Sequence, residues 1–269
     1  MFNHLSPDEK VTLIQHLDEL RKVLVVSMVA IVIAAFGCFY FSDQLLTYIK
    51  QPLTNLNLQL YYIGVAEGFF IKLKLSLIAG LVVAFPVVSL ALWRFVKPAL
   101  YPGERKYVYI LYPVTVLLFV GGVVFSYLTV LQVALKFLIF VASGLEPMIT
   151  VDKYVSFVIA FTLPFGFVFE LPVIVYFLTK IGVVTPAWLA LNRKYALLII
   201  FVLAAALTPG PDPISQCLMG VPVYLLYELS IIVSRLARPS KERISAMEVD
   251  EIRADLEDES TDTNQNDKI

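Results

Sequence analysis

The stretch FGFVFELPVIVYF, Phe165 to Phe177, holds one carboxylate, Glu170, among large apolar side chains, with Pro172 two residues on. What that charge does depends on what the segment is. The whole chain of 269 residues is 59% hydrophobic and only 16% charged, with a mean hydropathy of +0.79. Soluble domains are nearer half apolar and a quarter charged. A water-soluble fold of this length could not cover so much apolar surface, so the expected class is an all-α, polytopic membrane protein built as one bundle. In that setting Phe165–Phe177 belongs to a membrane-spanning helix, and Glu170 is costly. A carboxylate at the centre of such a helix costs about 2.5–3.5 kcal/mol on insertion scales, and is retained where it faces protein or water.

Working outward, a bilayer core takes roughly 20 apolar residues per helix. Such runs lie at about 23–41, 69–92, 107–133 and 154–178. From Tyr195 to Val233 the chain is apolar again but cut by LTPGPDPISQ, whose prolines and glycine forbid a continuous helix. That reads as a hairpin of two short helices, 195–207 and 214–233, giving six spans with both termini on one side. Lys10, Arg21, Lys22, Arg94, Lys97, Arg105, Lys106, Lys180, Arg193, Lys194 and the basic residues from Arg235 onward share the side of the N-terminus. The other side receives only Lys50, Lys72, Lys74, Lys136 and Lys153. The positive-inside rule then places both termini in the cytoplasm. The expected organisation is a cytoplasmic segment 1–22, a six-helix domain 23–235, and a tail 236–269. That tail is acidic, polar and without aromatics, the composition of a disordered extension.

Several function classes find no support. The net charge is −1, so no basic field argues for nucleic acid. Cys38 and Cys217 sit in apolar runs without C-x-x-C spacing, and His4 and His16 are the only histidines, so neither a metal site nor another cofactor is expected. No H-E-x-x-H, G-x-S-x-G or G-x-x-x-x-G-K occurs, and no nucleophile stands in a plausible relation to a histidine, so an enzyme is not expected. No A-x-A-like site follows the first apolar run, which reads as a retained span. An internal repeat, the mark of many transporters, is not visible.

Three polar clusters remain. In QHLDELRK, Gln15 to Lys22, the leucines Leu17, Leu20 and Leu24 share a helical face, so the first helix starts before the membrane. On spacing alone this is an interfacial anchor. WRFVKPALYPGERKY, Trp93 to Tyr107, is stiffened by Pro98 and Pro102. On composition alone it is a basic loop with an aromatic belt from Trp93 and Tyr101. The third cluster is Glu170 with Asp212 and Gln216 at the start of span six. Asp212 fits both an N-cap and a functional carboxylate. Glu170, read as mid-helix, has no capping role, so function is favoured.

At these clusters the sequence resembles TatC, the multispanning subunit of the twin-arginine protein translocase. The matching stretches are HLDELRK, FPVVSLALWRFVKPALYPGERKY, FSYLTVLQVALKFL, YVSFVIAFTLPFGFVFELPV, TPAWLALNRKY and LTPGPDPISQCLMGVPVYLLYELSI, in order over about residues 10–236. The resemblance implies a concave bundle that binds signal peptides bearing two consecutive arginines on folded cargo. It implies work with small single-span subunits of the TatA/TatB type in an oligomeric complex driven by the proton-motive force. The expected location is a bacterial inner membrane, among its lipids. By the resemblance, Glu19 and Glu104 recognise the arginine pair, and Arg21, Phe95 and Leu100 neighbour that patch. Glu170, Asp212, Gln216 and Tyr127 match intramembrane polar positions. The chemistry is sensible, because a guanidinium forks onto a carboxylate and two arginines call for two carboxylates.

Three positions depart from the family pattern: Leu90 and Ala91 stand where a Tyr-Gln pair is usual, and Gln132 where a proline is common. Two further expectations can be checked on a structure. Glu170 should lie in a concave, partly hydrated pocket, with Asp212 and Gln216 for company. The competing reading, a proton-coupled small-solute transporter, would use Glu170 and Asp212 directly.

Overall fold

The computed structural model describes residues 7–101, 103–142, 148–207 and 213–237, of which 7–16 and 99 are described by backbone alone. It is an α-helical bundle. Helix α1, Pro7–Tyr40, is continuous from before the membrane through the first apolar run. Phe41 ends it, and α2, Ser42–Thr54, follows outside the span. Helix α3 is Glu67–Val96. Helix α4, Arg105–Phe125, continues through a π-helical turn, Ser126–Val130, into α5, Leu131–Val141. Helices α6, Val151–Val168, and α7, Leu171–Lys180, make up the fourth span. The short α8, Pro186–Leu191, leads into α9, Arg193–Leu207, and α10 is Pro213–Leu236.

Among the described residues, five helical segments are long and apolar enough to cross a membrane: 17–40, 67–96, 105–141, 151–180 and 213–236. Helix α9 has 15 residues, about 22 Å at 1.5 Å per residue and short of a 30 Å core. The expected shortness therefore holds for the fifth helix. The sixth is longer than expected, at 24 residues, running on past Val233 through Ser234 and Arg235 to Leu236. The tail from 238 onward, and Asp212, lie outside the described residues.

Two further features differ from the sequence expectation. The amphipathic α2 had not been expected, because its 13 residues never make a span-length apolar run. The fourth span is also not one helix. It breaks at Phe169–Glu170, where Glu170 N–H bonds back to Phe167 O at 3.1 Å instead of the carbonyl four residues back. Pro172 explains the break, since it lacks the N–H that would have bonded Val168 O. Glu170 thus occupies the N-cap position of α7, without a side-chain capping bond.

Proline also explains how α2 is held. Pro52 leaves the Tyr48 carbonyl without its helical donor, and the Tyr127 hydroxyl supplies one at 2.5 Å. The Tyr154 hydroxyl donates to Ile49 O at 2.7 Å. A two-residue parallel pairing, β1 (Leu60–Tyr61) with β2 (Ile149–Thr150), joins the connections on the same end. There Lys72 meets Asp43 at 2.7 Å and Lys74 meets Asp152 at 3.2 Å, so both lysines at the head of α3 are neutralised.

The helices approach closely through small residues. A Cβ on Gly80 would sit 2.6 Å from the Ala35 backbone, so α1 and α3 are in near backbone contact. Gly122 of α4 and Gly166 of α6 do the same reciprocally, each facing phenylalanines of the other helix. Such contacts are how membrane helices associate where lipid offers no hydrophobic drive. Phe119, Phe161 and Phe165, each 0% exposed, fill the centre.

Candidate functional site

One candidate site is a cleft between α1 and α3, of about 330 Å³, lined by Glu19, Lys22, Val23 and Val26 on one side and Ala91, Arg94 and Phe95 on the other. Glu19 and Val23, Lys22 and Val26 are spaced by four, which puts each pair on one helix face. Ala91, Arg94 and Phe95 recur at three and four residues for the same reason. The small side chain of Ala91, one of the departures from the family pattern, leaves the cleft open. Glu19 is exposed, and among the described residues it makes no ion pair. A single accessible carboxylate beside an aromatic ring can take a guanidinium by forked hydrogen bonds and stacking. Arg21 is exposed and does not line the cleft.

Glu104 is placed differently. It is 1% exposed, at the N-cap position of α4, and accepts the Tyr101 N–H at 3.3 Å. Leu100 is buried with Trp93, Val108, Leu111 and Val173. Trp93 is only 8% exposed, its indole edge-on to Phe177 at 5.1 Å. The reading of Trp93 as an interfacial belt residue is therefore corrected. The tryptophan is a core residue that locks the α3–α4 turn against α7. The structure thus opens Glu19 to solvent and buries Glu104 in a packed turn. Glu19 and Phe95 come together, while Leu100 and Glu104 belong to the neighbouring core.

Glu170 is 7% exposed, and its Oε1 has no hydrogen-bond partner among the described residues. Its polar neighbours are the Thr115 hydroxyl and the Phe119 backbone, both on α4. Thr115 Oγ1 also accepts the Trp93 indole N–H at 3.3 Å. Sequence reading missed Thr115; one hydroxyl inside an apolar span carries no signal until the facing helix is known.

Of the company expected for Glu170, Asp212 lies outside the described residues and Gln216 is elsewhere. Helices α7 and α10 run parallel, with Thr179 and Ser234 hydroxyls 2.7 Å apart. At 1.5 Å per residue that register puts Gln216 about 13 Å beyond the level of Glu170. Gln216 instead donates to Phe201 O at 2.8 Å, fastening α10 to α9. Tyr127 is committed to the Tyr48 carbonyl. Glu170 also does not line the groove that its neighbours Phe169 and Pro172 help form. It is a buried group wedged at a helix break.

Against known proteins, residues 15–222 match the family model described as Sec-independent protein translocase protein (TatC). The TatC protein of Carboxydothermus hydrogenoformans is 46% identical over 235 residues, covering 87% of this chain and 97% of that one. The TatC protein of Aquifex aeolicus is 39% identical over 237 residues, covering 86% of this chain and 98% of the other. A crystal structure described as the twin arginine translocase receptor TatC is 39% identical, covers 82% of this chain and 99% of that one, and superposes with a TM-score of 0.76. Sequence and fold agree over nearly the full length of these relatives, and the chain belongs to the TatC family of Sec-independent protein translocase proteins.

Proposed function

We propose that this chain is the signal-peptide receptor of a twin-arginine translocase, and that the α1–α3 cleft is where the arginine pair arrives. The observation that carries the proposal is Glu19, an exposed carboxylate that makes no ion pair among the described residues and shares a cleft with Phe95. Lys22 and Arg94 on its rim disfavour a second approaching cation unless a guanidinium satisfies Glu19 by a fork. Exposed ion pairs contribute little, roughly 0–1 kcal/mol, so the cleft sets specificity while the apolar part of the peptide adds affinity along the bundle. Glu104 becomes the second carboxylate only when the 97–104 turn loosens; closed, it holds that turn.

In this reading both termini are cytoplasmic, α9 completes a sixth span, and the membrane is a bacterial inner membrane. The segment 1–22 faces the cytoplasm, and 236–269 is a solvated tail. Single-span TatA/TatB-type subunits complete an oligomeric machine that moves folded cargo with the proton-motive force. The offset between Glu170 and Gln216 weighs against a solute path built on these polar groups.

The test is direct binding of a twin-arginine signal peptide and its twin-lysine counterpart to the purified chain in detergent. The arginine peptide should bind at least five-fold tighter, and Glu19→Gln should erase the difference. Equal binding of both peptides to the parent chain would sink the proposal.

A further inference from the structure

A second concavity lies away from the cleft, between α4, α7 and α10. Its volume is about 480 Å³, and its walls include Tyr107, Val114 and Leu118 of α4, Phe169 at the α6–α7 break, Tyr176 of α7, and Leu229 of α10. All three helices belong to membrane-crossing segments. From Tyr107 to Leu118 the groove runs about 16 Å along α4, half of a 30 Å hydrocarbon core and so the depth of one leaflet. Its mouth is marked by cations. Lys180 Nζ lies 4.7 Å and Lys106 Nζ 5.4 Å from the centroid of the same Tyr107 ring. Neither lysine makes an ion pair among the described residues. The nearby acids are already engaged: Glu104 is buried on the Tyr101 N–H, and Glu228 pairs with Arg193 at 2.8 Å. We propose that this groove seats an acyl chain of an anionic phospholipid whose phosphate is held by Lys106 and Lys180.

Charge chooses this occupant. An apolar trough one leaflet deep, with two ammoniums at the membrane surface, complements an anionic amphiphile. A peptide bearing two arginines would meet those ammoniums as like charges, so the groove is a poor seat for the ligand of the α1–α3 cleft. Tyr107 joins the two halves. Its ring draws the lysines by cation–π attraction and forms the top of the apolar wall.

The experiment titrates the purified full chain in detergent with phosphatidylglycerol and, separately, phosphatidylcholine, and reads retained lipid by native mass spectrometry. One phosphatidylglycerol should be retained where phosphatidylcholine is not. Lys106→Gln combined with Lys180→Gln should cut retention at least five-fold. Filling the groove with Val114→Trp, or more mildly Ile110→Phe, should cut it similarly. Leu117→Trp on the outward face, where Leu117 is 73% exposed, should leave it unchanged. Equal retention of the two lipids, or undiminished phosphatidylglycerol in the lysine variant or in both groove variants, would overturn the proposal. So would displacement of the lipid by an equimolar twin-arginine peptide, which would assign the groove to the peptide.

Discussion

The Trp93 indole donates to Thr115 Oγ1 at 3.3 Å, and the same hydroxyl faces Glu170. One threonine therefore joins the α3–α4 turn, which shapes the candidate receptor face, to the only carboxylate buried within the fourth span. Thr115 is 6% exposed, so the N–H of Trp93 has no water to fall back on. Thr115→Val keeps the shape and removes the acceptor. It should cost about 1–3 kcal/mol, the penalty of an orphaned buried donor. Thr115→Ser should restore most of it. Thermal unfolding in detergent reads this; a valine variant that melts with the parent would show that the contact contributes nothing.

Glu170 should be a residue that function keeps at the expense of stability. With one oxygen unpartnered and 7% exposure, it is a poor contributor to folding. Replacing an unsatisfied buried polar group by an apolar one of similar shape is often neutral or stabilising. Glu170→Leu should therefore melt at or above the parent temperature while transport of a twin-arginine cargo falls at least ten-fold. A variant that melts clearly lower would mean that Glu170 is held by the fold more firmly than its contacts indicate.

Much of the architecture was legible in the sequence, for a simple reason. A span needs about twenty apolar residues, and such runs are visible by inspection. What needs two segments at once was not. Pro172 stood next to Glu170 in the quoted stretch, yet the run read as one helix, because prolines inside membrane helices often kink them without ending them. Helix α2 was invisible for the opposite reason: half its residues are polar, so it never resembles a span. The resemblance to TatC brought Glu170, Gln216 and Tyr127 together in one class. Only the helix registers separate them, giving Gln216 to the α9–α10 seam and Tyr127 to α2. The resemblance set Phe95 beside the Glu19 patch, but the residues alone, distant in sequence, carried no mutual signal until α1 lay against α3.

Burial separates the two carboxylates credited with arginine recognition. Glu19→Gln removes an exposed charge and should change peptide binding with no measurable loss of stability. Glu104→Leu removes a buried acceptor, 1% exposed, that holds the Tyr101 N–H. It should lower stability by about 1 kcal/mol or more, together with binding. Melting curves and peptide titrations on the same preparations distinguish the cases. Two variants with equal melting temperatures would show that the turn does not depend on Glu104.

The reciprocal glycines of α4 and α6 offer an internal control. A Cβ on Gly122 would meet Phe165 O at 2.5 Å, whereas one on Gly121 would meet nothing within 4 Å. Gly121→Ala should therefore be neutral or slightly stabilising through helix propensity. Gly122→Ala should cost about 1–3 kcal/mol through forced separation of the helices. Thermal melts of the two neighbours settle it, and equal values would mean that α4 and α6 lie farther apart than the structure has them.

The pairing of Tyr127 with Pro52 yields the sharpest test, because its two members are not in direct contact by bonding yet should be coupled. Pro52 leaves the Tyr48 carbonyl without a helical donor, and the Tyr127 hydroxyl replaces it. Tyr127→Phe alone should cost about 1–3 kcal/mol, the penalty of an unsatisfied group. Pro52→Ala restores an N–H at the position where the helix would bond Tyr48 O, so in that background Tyr127→Phe should cost much less. The difference is a coupling energy, expected at roughly 0.5–3 kcal/mol for residues sharing one hydrogen-bonding network. Additive effects of the two substitutions would show that the Tyr48 carbonyl is satisfied in some other way.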